Sequence, residues 1–337
     1  MKYFGIIFLT AAGGFLLCFS GEARQGAAEG LALAQNTVVP SLLPLLIIML
    51  LIMKSGGGKL GARLIGNPFS RIFRLPAIAA PAVLFGMLGG YPTGALLTKE
   101  LFERDDIDAA QARALLAFNF CGGCGFIITA VGAATLGSVK SGVILWLSNV
   151  LSALLVGVLG SFKREYRLEP ALELCAEENA GDALISAVDS AMRSVLNITA
   201  FIVLFSAFTG VFSANPYVSP LLEITSGICG GRRFPLPLAS AYLAFGGLCI
   251  HLQLLPIIGS VKLKYPLFLF FRVLCAAFSF FITKCLLLIF PSAVAAFSDS
   301  ASSPARLSSV NAPLSALMVF GCFVFILDLK GRKSPIC

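Results

Sequence analysis

Long apolar runs joined by short, mostly basic connections make up almost the whole chain, and this alternation constrains the fold more than any motif does. The runs approach the ~20 residues that an α-helix needs to cross the hydrocarbon of a bilayer. Lipid offers no water to pair peptide groups, so a spanning segment must be a helix or a strand of a closed barrel. Barrel strands would alternate apolar and polar residues, and these runs do not. Hydrophobic residues are 58% and charged residues 12% of the chain, and mean hydropathy is +0.91, which excludes an ordinary soluble domain. The fold class is an all-α polytopic membrane protein.

Two stretches interrupt this pattern at its centre: Phe85-Gly-Met-Leu-Gly-Gly-Tyr-Pro-Thr-Gly94 and Asn119-Phe-Cys-Gly-Gly-Cys-Gly125. Irregular backbone at membrane depth is tolerated only where it is buried in protein or lines a cavity. Residues 85–125 are therefore where a functional site is expected.

In chain order, a first span is expected over 4–20, followed by a short amphipathic connection, 22–36, and a second span, 38–53, that opens with Pro40 and Pro44. Residues 54–75 carry Lys54, Lys59, Arg63, Arg71 and Arg74 without an acidic residue, which marks a cytoplasmic loop. Residues 76–97, broken at Gly89–Gly94, read as a re-entrant helical hairpin. A helix from Ala109 runs into the Asn119 break and resumes at Phe126, and 141–160 is an ordinary span.

The polar linker 161–182 joins two half-repeats, 1–160 and 183–337, of one transmembrane domain, 1–337. In 183–213, Asp189, Arg193 and Asn197 share a helix face, which suits either an interfacial helix start or a cavity wall. A second interrupted segment, 221–237, contains Glu223 and reads as another re-entrant hairpin. Spans at 238–258, 266–290 and 312–329 follow, with Arg272 and Lys284 near enough to the ends of theirs to snorkel. This makes about eight spanning helices plus two re-entrant hairpins.

That scheme puts 16 Lys and Arg residues inside against 5 outside, with both termini cytoplasmic. The two hairpins then open on opposite faces, and each precedes a broken helix introduced by the same tripeptide, Leu116-Ala-Phe118 and Leu243-Ala-Phe245. Paired interruptions in corresponding positions point to a transporter built from inverted repeats.

Eight of the ten cysteines (Cys18, Cys121, Cys124, Cys229, Cys249, Cys275, Cys285 and Cys322) lie in apolar runs, where cysteine is a small hydrophobe. Neither a metal site nor a cofactor is expected. A single histidine rules out an H-E-x-x-H protease, and no G-x-S-x-G elbow occurs, so the chain reads as a non-enzyme. The net charge of +8 sits in the connections as a topology signal and does not indicate nucleic acid.

Five stretches in order resemble the YlbJ/SpoVV family of sporulation integral membrane proteins, which carry a nucleoside-recognition or Gate domain. They are Pro40-Ser-Leu-Leu-Pro44, Gly90-Tyr-Pro-Thr-Gly-Ala95, Ala112-Arg-Ala-Leu-Leu-Ala-Phe-Asn119, Leu222-Glu-Ile-Thr-Ser-Gly227 and Phe245-Gly-Gly-Leu-Cys-Ile-His-Leu-Gln253. After Asn119 the chain departs from the family, having Cys121-Gly-Gly-Cys124 where a mixture of Asn, Ser, Gly and Pro is usual. The resemblance implies transport of dipicolinic acid across the outer forespore membrane, in a host that sporulates. It also implies an arrangement like that of concentrative nucleoside transporters.

An aromatic dicarboxylate needs positive potential, which half-helix amino termini supply through free N–H groups. The candidate binding residues at the first hairpin are Gly90, Tyr91, Pro92, Thr93 and Gly94, together with Asn119. Those at the second are Glu223, Thr225, Ser226 and Gly227, with Gly246, Gly247, His251 and Gln253 completing the lining. Glu223 would repel a dianion unless protonated or paired, which suggests proton coupling or gating. Glycines 246 and 247 also suit close helix packing, and His251 also suits a hydrogen bond between helices. The expected partners are a small organic anion, a coupling proton or sodium ion, the cytoplasmic-membrane lipid and a second copy of the chain. A spore-envelope assembly protein without flux and a nucleoside permease are the alternatives.

Overall fold

The protein is described from a computed structural model covering residues 10, 12–162, 180–212, 217–229, 234–259, 261 and 263–290. Residues 4–9 and 11 of the expected first span, most of the linker 161–182 and the last span 312–329 lie outside the described residues. All regular structure within them is helical, and five helices are long and apolar enough to cross a membrane: Ser20–Lys54, Val139–Ser161, Gly181–Val211, Leu236–Leu255 and Tyr265–Ile289.

The chain from Ser20 to Lys54 corrects the expected division into a connection over 22–36 and a span over 38–53. Helix α1 (Ser20–Leu33) continues through a π-helical turn (Ala34–Val38) into α2 (Val39–Lys54), forming one run of 35 residues. Close packing makes 22–36 a helix. A β-carbon added at Gly26 would fall 2.3 Å from the Ser206 carbonyl oxygen, and one at Gly30 would fall 2.6 Å from the Ser206 side chain, both on α8 (Ala180–Phe212). Gly26-Ala-Ala-Glu-Gly30 is thus a small-xxx-small face that brings two backbones together. The π turn lies just before Pro40, which has no N–H to offer the carbonyl four residues back. There the Val39 N–H reaches the Ala34 carbonyl, the five-residue spacing of a π-helix.

Basic α3 (Gly57–Phe73) leads to α4 (Ala79–Gly89) and α5 (Tyr91–Glu103), which fold back on one another at Gly90. At the open end of this pair Lys54 meets Glu100 at 3.1 Å, so α5 ends on the same face as α2 does. Helix α6 (Ala109–Leu116) starts with a capping box in which the Asp108 carboxylate accepts from the Ala110 and Gln111 amides. It stops before the non-helical stretch 120–123, and the chain resumes as a π-helix, Gly125–Thr135.

After α7 (Val139–Ser161) and α8 come two short helices, α9 (Ser219–Leu222) and α10 (Ile224–Cys229). A broken pair follows, α11 (Leu236–Phe245) and α12 (Gly247–Ile257), and then α13 (Tyr265–Ile289). A buried polar cluster ties α7, α11 and α13 together: the Asn149 amide donates to Ser279 at 3.3 Å and to Ser240 at 3.4 Å, and the two hydroxyls stand 2.6 Å apart. The expected interruptions of 76–97, 109–137, 221–237 and 238–258 all occur, at Gly90, residues 120–123, Glu223 and Gly246.

Candidate functional site

The first back-folded pair is built on close approach. A β-carbon at Gly86 on α4 would stand 2.8 Å from Gly94 Cα on α5, although eight residues separate the two along the chain. Gly90 makes the reversal at φ 99° and ψ −166°, a region that only glycine enters without strain. Asn119 staples the pair, its amide donating to the Ala82 carbonyl at 3.1 Å and the Gly94 carbonyl at 3.2 Å. Met87 is held from outside by the Trp146 indole N–H at 3.2 Å. The tip presses on the next break, since a β-carbon at Gly90 would meet Gly123 N at 2.6 Å.

The second pair is smaller and reverses at Glu223, whose carboxylate turns back onto its own chain. It accepts the Thr225 amide at 2.9 Å and the Ser226 amide at 2.5 Å, capping the first turn of α10. Glu223 is wholly buried, and among the described residues no cation pairs with it. This pair also rests on a glycine break. A β-carbon at Gly227 would lie 2.5 Å from Pro220 Cα, and one at Gly247 would lie 3.1 Å from the Pro220 carbonyl oxygen. Gly246 and Gly247, with φ 94° and 68°, end α11 and open α12 beneath it.

The two tips meet around one cavity of about 40 Å³, space for a few waters at ~10–15 Å³ each. Gly90 and Tyr91 come to it from the first pair, Glu223 and Thr225 from the second, and Gln253 from α12. The remaining wall is apolar, with Val38 and Leu42 beside the π turn, Phe126, Ile198, Ile202 and Ile250. Among the described residues, no basic side chain lines it. Tyr91 bridges the halves of the chain, because its hydroxyl donates to the Leu243 carbonyl on α11 while its ring meets Phe120 edge-on at 5.2 Å.

The other predicted residues lie around the cavity instead of on it. Of Pro92 only the backbone, at the start of α5, is described. Thr93 is buried beside Gly89 with its hydroxyl unpartnered. Gly94 packs on Asn119, and Gly227, Gly246 and Gly247 serve the second reversal. Ser226 contributes its amide to Glu223. His251 holds helices together: the Phe245 carbonyl can only accept, so Nε2 at 2.9 Å carries the proton and Nδ1 faces the Tyr265 hydroxyl at 3.2 Å. Cys121 and Cys124 are free thiols. Asp189 and Arg193 pair at 2.8 Å on the exposed face of α8, away from the cavity wall.

Arg272 corrects a sequence expectation. Snorkelling toward a membrane surface would expose its guanidinium, yet the residue is 1% exposed. It donates to the Ala117 and Phe120 carbonyls at the end of α6, where helical donors run out. Phe120 and Phe268 flank the guanidinium with ring centroids at 5.4 and 5.5 Å. A cation placed against a helix carboxyl terminus also opposes the helix dipole favourably. Its position eight residues into α13 gave no hint of this, because the partners lie some 150 residues away.

The chain is 28% identical over 242 residues to the sporulation integral membrane protein YlbJ of Bacillus subtilis (strain 168), a match covering 66% of this chain. The similarity bears out the resemblance to the YlbJ family read from the motifs. The matched region spans 58% of that relative's length. No family model matches the chain, and no solved structure matches it.

Proposed function

We propose that the chain is a transporter that moves a small organic acid through the cytoplasmic membrane, with dipicolinate as the substrate and sporulation as the setting. The observation that carries this is the meeting of two back-folded helix pairs, each seated on a glycine break, around one small cavity containing a buried carboxylate. A scaffold has no use for interrupted helices at membrane depth, where every unpaired peptide group is costly. The pairing of breaks favours two half-repeats, 1–160 and 183–337, with the basic connections cytoplasmic. The sporulation setting draws on the name of the similar protein.

Glu223 shapes the mechanism. The first α10 amides are already occupied by a carboxylate, and among the described residues the cavity lining supplies no cation. A dianion therefore enters only when Glu223 is neutralised, so substrate and proton move together. At about 40 Å³ the cavity admits no aromatic acid, and transport requires the two tips to separate.

The same absence of cations supports a second reading, a neutral hydrogen-bonding solute such as a nucleoside, held by Glu223, Gln253 and Thr225. Uptake of labelled dipicolinate and of labelled uridine into proteoliposomes, with and without a proton gradient, separates the readings. Saturable, gradient-driven dipicolinate uptake that Glu223→Gln uncouples from the gradient and Thr93→Ala weakens is expected. Uridine uptake alone would replace the substrate, and flux of neither would overturn transport.

A further inference from the structure

A second, wider cleft of about 550 Å³ lies apart from the cavity, between α6, the start of α13 and the end of α7. From α6, Ala110, Arg113, Ala114 and Ala117 face it at i, i+3, i+4 and i+7, so small side chains hollow the wall and Arg113 alone brings charge. Lys264, at the amino end of α13, brings the second charge. Leu267, Phe270 and Phe271 continue the same wall as an apolar surface, with Leu267 51% and Phe270 59% exposed. Among the described residues, neither Arg113 nor Lys264 has a carboxylate within ion-pair distance. The nearby Asp108 carboxylate is engaged by the first amides of α6.

We infer that this cleft binds one anionic phospholipid, its phosphate held between Arg113 and Lys264 and an acyl chain lying along Leu267, Phe270 and Phe271. The combination decides the ligand class. Two cations beside an apolar wall complement a molecule that is anionic at one end and hydrocarbon beyond it. A free phosphate would leave the apolar wall bare, and a zwitterionic lipid would bring a third positive charge beside Arg113 and Lys264. Basic connections in this chain read as cytoplasmic, where anionic headgroups and juxtamembrane cations attract each other. Phe268 links the cleft to the core, since it lines the cleft while its ring lies against Arg272. A bound chain supports the packing that holds the end of α6.

The test uses the full-length protein, purified and exchanged into nanodiscs of phosphatidylcholine with increasing phosphatidylglycerol. The readouts are the thermal midpoint and the lipids retained on gentle release into a mass spectrometer. The midpoint should rise with phosphatidylglycerol, and one such lipid should persist per chain. Arg113→Gln and Lys264→Gln should each weaken retention about fivefold and the double variant about thirtyfold, with midpoints in pure phosphatidylcholine unchanged. Lys140→Gln, whose side chain is outside the cleft, is the control and should retain lipid like the parent. Equal retention of both lipids, retention undiminished in the double variant, or the same midpoint rise from inorganic phosphate alone would each overturn the assignment. If the double variant unfolds, the single variants decide, since they leave the apolar wall intact.

Discussion

Replacing Gly90 by alanine tests the architecture most directly. The residue sits at φ 99° and ψ −166°, and a β-carbon there would lie 2.6 Å from Gly123 N and 2.9 Å from Gly123 Cα. Holding a non-glycine residue in that conformation costs about 1–3 kcal/mol. The clash is with backbone, which cannot rotate away, and adds about 1–3 kcal/mol of overpacking. The sum, about 2–6 kcal/mol, is a large part of the ~5–15 kcal/mol typical of folded proteins. Gly246→Ala should cost less, about 1–2 kcal/mol for the left-handed backbone, because its β-carbon meets only side-chain ring edges, Tyr91 at 3.3 Å and Phe120 at 3.8 Å. Gly125→Ala, with nothing nearer than Ser41 at 3.5 Å, should stay within about 1 kcal/mol of the parent. The assay is unfolding by added dodecyl sulfate in mixed micelles, followed by fluorescence of Trp146, the only tryptophan and a direct partner of Met87 on α4. A Gly90→Ala protein as stable as its parent, or one no weaker than Gly125→Ala, would refute the proposed contact between tip and break.

Asn119→Ala removes two hydrogen bonds worth about 0.5–1.5 kcal/mol each, and deuterium exchange at residues 86–94 should quicken while that of α7 does not. Arg272→Met leaves two carbonyls without a charged donor at about 1.5–3 kcal/mol each. Stability should rank parent, Arg272→Lys, then Arg272→Met, and an Arg272→Met protein as stable as the parent would contradict the capping role. Gly26→Val should destabilise by about 1–3 kcal/mol through overpacking against Ser206, measured in the same titration. A neutral effect would mean that α1 and α8 do not touch there.

Much of the fold was legible locally. The breaks at Gly90, residues 120–123, Glu223 and Gly246 were readable because glycine and charge inside an apolar run are signals of single positions. The helical nature of 22–36 was present in Gly26-Ala-Ala-Glu-Gly30, but hydropathy weighs that segment as polar and misses a face made of small residues. Of the candidate ligands, Gly90, Tyr91, Glu223, Thr225 and Gln253 reach the cavity. Asn119 and His251 were rightly marked as unusual, yet their hydrogen bonds go to the protein itself. The apolar wall from Val38, Ile198 and Ile202 had no sequence signature, since valine and isoleucine occur everywhere in such a chain.

By itself the sequence determined the class of the molecule, helices in lipid, because apolar length and backbone satisfaction leave no other solution. It also marked the points where those helices must break. Tertiary structure alone decided what the polar groups do. Glu223 caps its own helix, Arg272 lies buried against carbonyls some 150 residues earlier in the chain, and Tyr91 reaches α11, because a buried polar atom takes whichever partner packing brings within about 3 Å. That partner is a property of the assembled helices and is not encoded at either position alone.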